Sequence, residues 1–209
     1  MDFCDYKGMI ILASESWLRK TVLTASKLNF IVKAAKIDER TVESEYSDAS
    51  AEELVSMLAD KKAEAVAKDN PHDLVIAADT LAVLPDGTWL HKPATHEEAI
   101  ELSLKQSGKT IRAVTGLAMR YRDQTIINTT TTNITYISFD EAMIEKLLAG
   151  DDPAVRNSGL GFFVDAPGFT LVKMFDGSYT GAMGLPMEHV WNNLEKLGYA
   201  SGSGSRPAS

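Results

Sequence analysis

Short apolar runs alternate with helix-like segments in the first half of the chain. Residues 9–13 are apolar and predict a short buried strand. Apolar residues at helical spacing predict a helix over about 17–28, with Ser16 as its N-cap. Residues 30–36 alternate weakly and favour a second strand, whereas the polar residues 37–49 predict a loop. This succession of strand, helix and strand is typical of an α/β fold.

Capping signals mark the elements in the middle of the chain. Ser50-x-x-Glu53 is a capping box and predicts a helix over about 51–68. The apolar residues 74–84 then predict a strand, in which Asp79 is the one charged residue. Turn and capping signals further predict a turn at 85–87, a short strand at 88–90 and a helix from Thr95 to about 106.

The second half of the chain contains a hairpin signal. Two β-rich runs, 110–121 and 124–138, are joined by a short turn. Ser138-x-x-Glu141 is another capping box and predicts a helix that extends to about 148. The remaining predicted elements are strands over 161–165 and 169–175 and a last helix over about 187–197.

We expect these elements to form a single α/β domain over residues 1–200. Strands and helices alternate early, and the hairpin breaks this alternation late, which favours a mixed, twisted sheet with helices on both sides. Residues 201–209 are rich in glycine and serine and predict a flexible tail.

Composition and charge exclude several classes of protein. Hydrophobic residues make up 44% of the chain and charged residues 24%, which excludes a disordered protein. The net charge is −8 without a dense basic cluster, so nucleic acid is not an expected partner. No apolar run approaches the ~20 residues of a membrane span, so we expect no membrane association. The acidic start lacks a secretory signal and Cys4 is the single cysteine, which favours a cytoplasmic location.

The first candidate site lies between the first strand and the first helix. A helix start offers free N–H groups and a positive dipole end, and both attract phosphate. Ser14 and Ser16 can donate hydroxyl protons there, and Arg19 can bind a phosphate through two N–H groups. The alternative is that Ser16 only caps the helix and that Arg19 lies on a solvated face.

Acidic residues supply the second candidate. Asp79 lies in an apolar strand, where a carboxylate is costly to bury unless it is paired or bound to a metal. It is therefore a candidate metal ligand or general base, or else a buried aspartate that accepts backbone hydrogen bonds. Glu39 lies in the polar segment, where clustered acids suit Mg²⁺ or are simply solvated.

Two lysines are weaker candidates. Lys92 precedes Pro93, which restricts the direction of the chain, although a lysine after a turn is usually solvated. Lys62 lies within the helix that follows the capping box, where an exposed face is the simpler interpretation.

Taken in order along the chain, these motifs are similar to those of the Maf family. The resemblance extends from about residue 9 to 198. The motifs are Leu12-Ala-Ser14-x-Ser16-x-x-Arg19, Ile37-Asp-Glu39, Ala59-x-x-Lys62-Ala63, Ala78-Asp79-Thr80, Lys92-Pro93, Gly108 with Thr115-Gly116, Gly177-Ser178-Tyr179 and Gly184-Leu185-Pro186.

The resemblance implies a nucleoside triphosphate pyrophosphatase with an elongated, two-lobed α/β fold like that of inosine triphosphate pyrophosphatases, often a homodimer. Such an enzyme cleaves between the α- and β-phosphates with a divalent cation, Mg²⁺ or Mn²⁺. By position, the residues implied to hold the triphosphate are Ser14, Arg19, Lys62 and Lys92. The resemblance also implies that Glu39 and Asp79 bind the metal and that Asp79 activates water.

The chain departs from the family pattern where the nucleobase is selected. The usual Ser-Pro-Arg-Arg is Ser-Trp-Leu-Arg at residues 16–19, and the implied specificity positions are Leu18, Thr80 and Asp165. Members acting on dTTP and UTP typically have glutamine at the position of Asp165. Members acting on 7-methyl-GTP have an acid there but typically glutamine at the position of Thr80. The preferred base stays open, with Asp165 favouring a modified or purine base.

Two other hypotheses compete with the enzyme. The Maf family is also linked with inhibition of septum formation, so the chain could be a nucleotide-binding regulator of cell division with little turnover. A structural α/β domain without a ligand is the third interpretation. Nucleotide binding without turnover favours the regulator, and the lack of any nucleotide-induced rise in melting temperature favours the structural domain.

Overall fold

The computed structural model describes residues 8–46, 48–91, 93–148 and 171–199, which contain one seven-stranded sheet and its flanking helices. The strands are β1 (Ile10–Leu12), β2 (Phe30–Val32), β3 (Leu74–Val83), β4 (Trp89–Leu90), β5 (Thr110–Tyr121), β6 (Gln124–Tyr136) and β7 (Val172–Asp176). The helices are α1 (Trp17–Ala25), α2 (Glu39–Glu45), α3 (Ala51–Ala67), α4 (His96–Leu104), α5 (Glu141–Leu148), α6 (Tyr179–Ala182) and α7 (Met187–Lys196).

The sheet combines parallel and antiparallel pairs, which confirms the mixed sheet expected from the sequence. Its strand order is β2-β1-β3-β5-β6-β7. β1 is parallel to both β2 and β3, whereas β3, β5, β6 and β7 follow one another in antiparallel pairs. The short strand β4 is antiparallel to β3. The predicted hairpin is therefore β5–β6.

Helices cover both faces of β3, because alternate residues of a strand point to opposite sides of a sheet. Leu74, Ile76 and Ala78 pack into the main core with residues of α1, α4 and α7. Val75 and Ala77 pack on the other face, against the alanines of α3. Each face of the central strand is thus buried under a different set of helices.

Helix α3 is fixed at its start and along its length. The predicted capping box is confirmed, since Ser50 Oγ accepts from Glu53 N and Glu53 Oε2 accepts from Ser50 N, at 3.2 and 2.9 Å. Gly116 of β5 allows α3 to lie very close to the sheet, because a Cβ atom there would come within 2.3 Å of the Val55 carbonyl oxygen. The close approach sets the distance between α3 and β5.

The prediction of a loop over 37–49 is wrong for the middle of that segment, where α2 forms. Asp38 caps this helix by accepting from Thr41 N at 3.3 Å. Val42 is the one buried residue of α2 and packs with Leu54 and Leu58 of α3. A single buried residue leaves no apolar periodicity to recognise.

Other element boundaries also differ from the sequence predictions. The prediction that Ser138 caps the next helix is wrong. Asp140 accepts from Met143 N at 2.9 Å instead, and α5 begins at Glu141. Ser16 occupies the N-cap position of α1 but makes no capping bond through its side chain. The strand predicted over 30–36 ends at Val32, and the short helix α6 was not predicted. The strand predicted over 161–165 lies outside the described residues.

Within the described residues, every helix is too short or too polar to cross a membrane.

Candidate active site

A gap in the pairing of β3 marks the site. β1 ends at Leu12, opposite Ile76 of β3, and on the same side β4 pairs with Ala82 and Val83. The described strands therefore leave residues 77–81 of β3 unpaired on this side, while β5 pairs with them on the other. We call residues 77–81 the β3 gap. Asp79 lies at its centre.

Residues 79 and 80 point to opposite faces of the sheet, because they are neighbours in one strand. Asp79 follows Val75 and Ala77 on the α3 face. Thr80 follows Ile76 and Ala78 on the α1 face. The site therefore has two halves, one on each face, which meet at the open edge of the β3 gap.

Lys62 is the centre of the half on the α3 face. Its Nζ lies 2.6 Å from Asp79 Oδ1 and 3.0 Å from Glu39 Oε2. The side chain of Lys62 is 8% exposed, that of Asp79 16% and that of Glu39 47%. A lysine this deeply buried needs an acidic partner, and here it has two. The interpretation of Lys62 as part of an exposed helix face is wrong.

Packing of α2 on α3 brings Glu39 to Lys62. Lys62 lies between Ala59 and Ala63 on α3, on the surface that faces the sheet. Glu39 is the first residue of α2, and Val42 holds this helix against α3. The polar segment that the sequence showed as an acidic loop thus presents one defined carboxylate to the site.

Arg19 is the centre of the half on the α1 face. Its Nε donates to the Gly184 carbonyl at 3.0 Å, Nη1 to Ser14 Oγ at 3.1 Å and Nη2 to Thr80 Oγ1 at 3.3 Å. A guanidinium has five N–H donors, so one N–H on each Nη has no partner among the described residues. Arg19 is half-buried and is held in one orientation by hydrogen bonds to three separate segments of the chain.

The charges of the two halves act on each other. Burial lowers the pKa of Arg19, while the negative charges of Asp79 and Glu39 oppose this shift. An arginine remains protonated in proteins despite such shifts. The site therefore combines two cations, Arg19 and Lys62, with two carboxylates, and their formal charges sum to zero.

Ser14 is oriented as a hydrogen-bond donor. Its Oγ accepts from Ser16 N at 3.2 Å and from Arg19 Nη1 at 3.1 Å. A serine hydroxyl has two lone pairs and one proton, so both lone pairs are in use. The proton of the Ser14 hydroxyl is left for an acceptor such as a phosphate oxygen.

Several predicted residues have other positions. Leu18 is half-buried and packs against the main core. Ser16 is half-buried at the start of α1, and the adjacent Trp17 is 36% exposed. Lys92 and Asp165 lie outside the described residues. The structure thus brings together Ser14, Arg19, Glu39, Lys62, Asp79 and Thr80 of the predicted set.

Sequence reasoning assigned no role to two residues of the site. Gly184 supplies a carbonyl to Arg19, and its φ of +88° is one that glycine adopts readily. Thr115 bonds to Thr80 from the neighbouring strand β5. Both belong to motifs of the family resemblance, but a carbonyl or a buried hydroxyl has no sequence signal of its own.

The two carboxylates fit a hard divalent cation that is shared with a ligand. Asp79 and Glu39 both approach the position of Lys62 Nζ. The described ranges contain no group of three or more acidic, histidine or cysteine side chains that could hold a metal by themselves. Mg²⁺ commonly binds one or two carboxylates together with substrate phosphates, so this donor set suits it.

Comparisons with known proteins agree with the motifs. The family model described as Maf-like protein matches residues 9–197. The dTTP/UTP pyrophosphatase of Fusobacterium nucleatum is 31% identical over 192 residues, or 91% of this chain and 96% of the relative. The 7-methyl-GTP pyrophosphatase of Pseudomonas savastanoi pv. phaseolicola is 33% identical, over 90% of this chain and 96% of the relative. The nucleoside triphosphate pyrophosphatase of Corynebacterium glutamicum (strain R) is 30% identical, over 91% and 95%.

Proposed function

The chain belongs to the Maf-like family, and from this premise we propose that it hydrolyses nucleoside triphosphates to a nucleoside monophosphate and pyrophosphate. The observation that carries the proposal is the arrangement around the β3 gap. Lys62 pairs with Asp79 and Glu39, and Arg19 is anchored beside them by Ser14 and Thr80. The names of the relatives support the same reaction.

The half on the α1 face suits a polyphosphate. Arg19 keeps one N–H on each Nη, and Ser14 keeps its hydroxyl proton, so three donors are available to phosphate oxygens. Helix α1 starts beside them and has no acidic residue in its first turn, so its positive end also favours an anion.

Charge balance supports a divalent cation as part of the reaction. Lys62 and Arg19 only balance Asp79 and Glu39, so a bound triphosphate adds negative charge without a counter-charge among these residues. We propose that Asp79 and Glu39 hold Mg²⁺ or Mn²⁺, which neutralises phosphate charge and polarises phosphorus–oxygen bonds when it is bound. Lys92 is proposed as a further cation, on the family resemblance.

Asp79 is the proposed general base. A water molecule attacks the α-phosphorus, its proton passes to the Asp79 carboxylate, and the bond between the α-phosphorus and the bridging oxygen breaks to release pyrophosphate. Lys62 donates to Asp79 Oδ1 at 2.6 Å, which holds the carboxylate in a defined orientation. The same ammonium can stabilise charge that develops on the leaving group.

The reaction is tested by incubating the protein with Mg²⁺ or Mn²⁺ and dTTP, UTP, CTP or 7-methyl-GTP and resolving the products. We expect a monophosphate and pyrophosphate. Release of orthophosphate would refute the proposed bond cleavage. The panel also decides the base, for which Thr80 and Asp165 point to different subclasses of the family.

Asp79→Asn tests the proposed base. We expect a loss of at least about 100-fold in kcat with the fold retained, because general base catalysis contributes about 100- to 10,000-fold. Asp60→Asn is a matched control. Asp60 Oδ1 accepts from Arg120 Nη2 at a distance of 2.7 Å, and both residues lie outside the β3 gap. Wild-type turnover in Asp79→Asn would remove Asp79 from the mechanism.

A nucleotide-binding regulator is the second candidate. Leu18 stands where the family usually has an arginine, and it packs against the core, so the site has one cation fewer than the family pattern. Micromolar binding of a nucleotide without turnover under either metal would favour this function. Homodimer formation and a cytoplasmic location stay predictions from the sequence.

A further inference from the structure

Thr115 connects the Arg19 half of the site to α6. It lies on β5 opposite Thr80 of β3 and is completely buried. Its Oγ1 lies 3.0 Å from Thr80 Oγ1 and 2.8 Å from the carbonyl oxygen of Gly181. Arg19 Nη2 lies 3.3 Å from Thr80 Oγ1 at the other end. Four groups thus form one hydrogen-bonded chain, which we call the hydroxyl chain.

The two ends of the hydroxyl chain determine the direction of every bond in it. A guanidinium can only donate and a carbonyl oxygen can only accept. Thr115 must therefore give its proton to Gly181, and it must accept the proton of Thr80. Thr80 in turn accepts from Arg19. The order is Arg19 N–H to Thr80, Thr80 O–H to Thr115, and Thr115 O–H to the Gly181 carbonyl.

We propose that Thr115 is a positioning residue, which holds the Thr80 hydroxyl as an acceptor towards Arg19 and thereby orients the guanidinium for a phosphate group. Without Thr115, the proton of Thr80 has no fixed acceptor and can turn towards Arg19. One of the three anchors of the guanidinium then weakens. Thr80 also meets a ligand as an acceptor only, in contrast to Ser14, whose proton is available.

This inference rests on the proposed function, because its readout is nucleotide turnover. Under the proposed function Arg19 binds phosphate in the ground state and the transition state alike, so loss of its orientation raises KM more than it lowers kcat. Loss of one hydrogen bond to a charged group corresponds to about a tenfold change. For Thr115→Val we therefore expect KM to rise about tenfold and kcat to stay within about twofold.

Thr132→Val is the matched control for Thr115→Val. Thr132 is also completely buried, and its Oγ1 donates to the Ser178 carbonyl at 2.8 Å. Each of the two carbonyls also accepts a backbone N–H, Gly181 from Gly184 and Ser178 from Ala182. The two variants remove the same kind of bond to the same segment, but only Thr115 contacts Thr80. Thr132→Val should lower the melting temperature similarly and leave KM unchanged.

Two further variants separate a positioning role from a structural one. Thr115→Ser keeps the hydroxyl and should restore the wild-type KM. Thr80→Val should raise KM, and adding Thr115→Val to it should change KM by less than about twofold, since the two residues act in series. Thr115→Ala, which removes the hydroxyl with a smaller side chain, replaces Thr115→Val if the valine variant does not fold.

The results decide the inference as follows. A KM effect shared equally by Thr115→Val and Thr132→Val, or fully additive effects of Thr80→Val and Thr115→Val, would overturn it while leaving the proposed function intact. Wild-type protein without turnover would instead refute the proposed function. In that case the affinity of the same variants for inorganic tripolyphosphate is compared by calorimetry. The positioning role is overturned if Thr115→Val and Thr132→Val bind with equal affinity, or if the wild type does not bind.

Discussion

Replacing Lys62 by methionine removes the positive charge that lies between Asp79 and Glu39. Methionine keeps most of the apolar stem, so the packing of α3 on the sheet changes little. The side chain of Asp79 is 16% exposed and loses its cationic partner at 2.6 Å. Glu39 is 47% exposed and remains largely solvated without Lys62, so its share of the loss is small.

The expected loss of unfolding free energy is about 3 kcal/mol, the lower end of the range for removing one partner of a buried ion pair. For a chain of this size, this corresponds to a fall of about 6–12 °C in melting temperature. Lys61→Met is the matched control, because Lys61 is adjacent on α3 and half-buried, and no ion pair with it is found among the described residues. We expect Lys61→Met to change the melting temperature by less than about 2 °C.

Divalent cations provide the second part of this experiment. In the wild type the Lys62 ammonium already offsets the charge of the two carboxylates, so without substrate a divalent cation gains little from binding them, whereas in Lys62→Met the two carboxylates lack this counter-charge. Millimolar Mg²⁺ should therefore raise the melting temperature of Lys62→Met more than that of the wild type, relative to EDTA. The reasoning fails if Lys62→Met is as stable as Lys61→Met, or if Mg²⁺ shifts the wild type and Lys62→Met equally.

Two predictions concern α3. Gly116→Ala places a Cβ atom 2.3 Å from the Val55 carbonyl oxygen, which is backbone and cannot rotate away, so we expect a loss of about 3 kcal/mol in urea unfolding and a fall in kcat; a wild-type midpoint would contradict the close approach. Hydrogen bonds from Ser50 lower the pKa of Glu53. The wild type should therefore be more stable than Glu53→Ala above the ordinary glutamate pKa of 4.5, and this difference should disappear as the pH falls through the lowered pKa. Melting temperatures of both proteins at pH 7 and pH 3 measure this difference, and a difference that does not shrink at pH 3 would refute it.

Local patterns were sufficient for the long elements. β3 is a continuous apolar run, β5 and β6 are long β-rich runs, and the Ser50 capping box fixes the start of α3. α2 was missed because it buries only Val42. The start of α5 was misplaced because Ser138 and Asp140 both satisfy the capping preference, and the choice between them depends on the path of the chain after β6. The strand order follows from long-range pairing, which local patterns do not contain.

The site could be predicted only in part, for related reasons. Asp79 stands out because a charge in an apolar strand is costly. Lys62 gives no such signal, since a lysine within a helix is usually exposed, and its burial depends on α2 and β3 covering the same face of α3. The contact between Arg19 and the Gly184 carbonyl joins residues 165 positions apart, and a carbonyl is present at every residue.

The alternation of a strand explains why one short motif serves both halves of the site. Asp79 and Thr80 are consecutive, so they must point to opposite faces of β3, and neither could reach a common ligand if β1 continued beside them. β1 ends opposite Ile76, and β4 pairs only with Ala82 and Val83, so both faces meet at the edge of the β3 gap. A longer β1 would pair the gap and separate the carboxylate of Asp79 from the guanidinium of Arg19. The short length of the first strand is therefore as necessary to the site as the charged residues themselves.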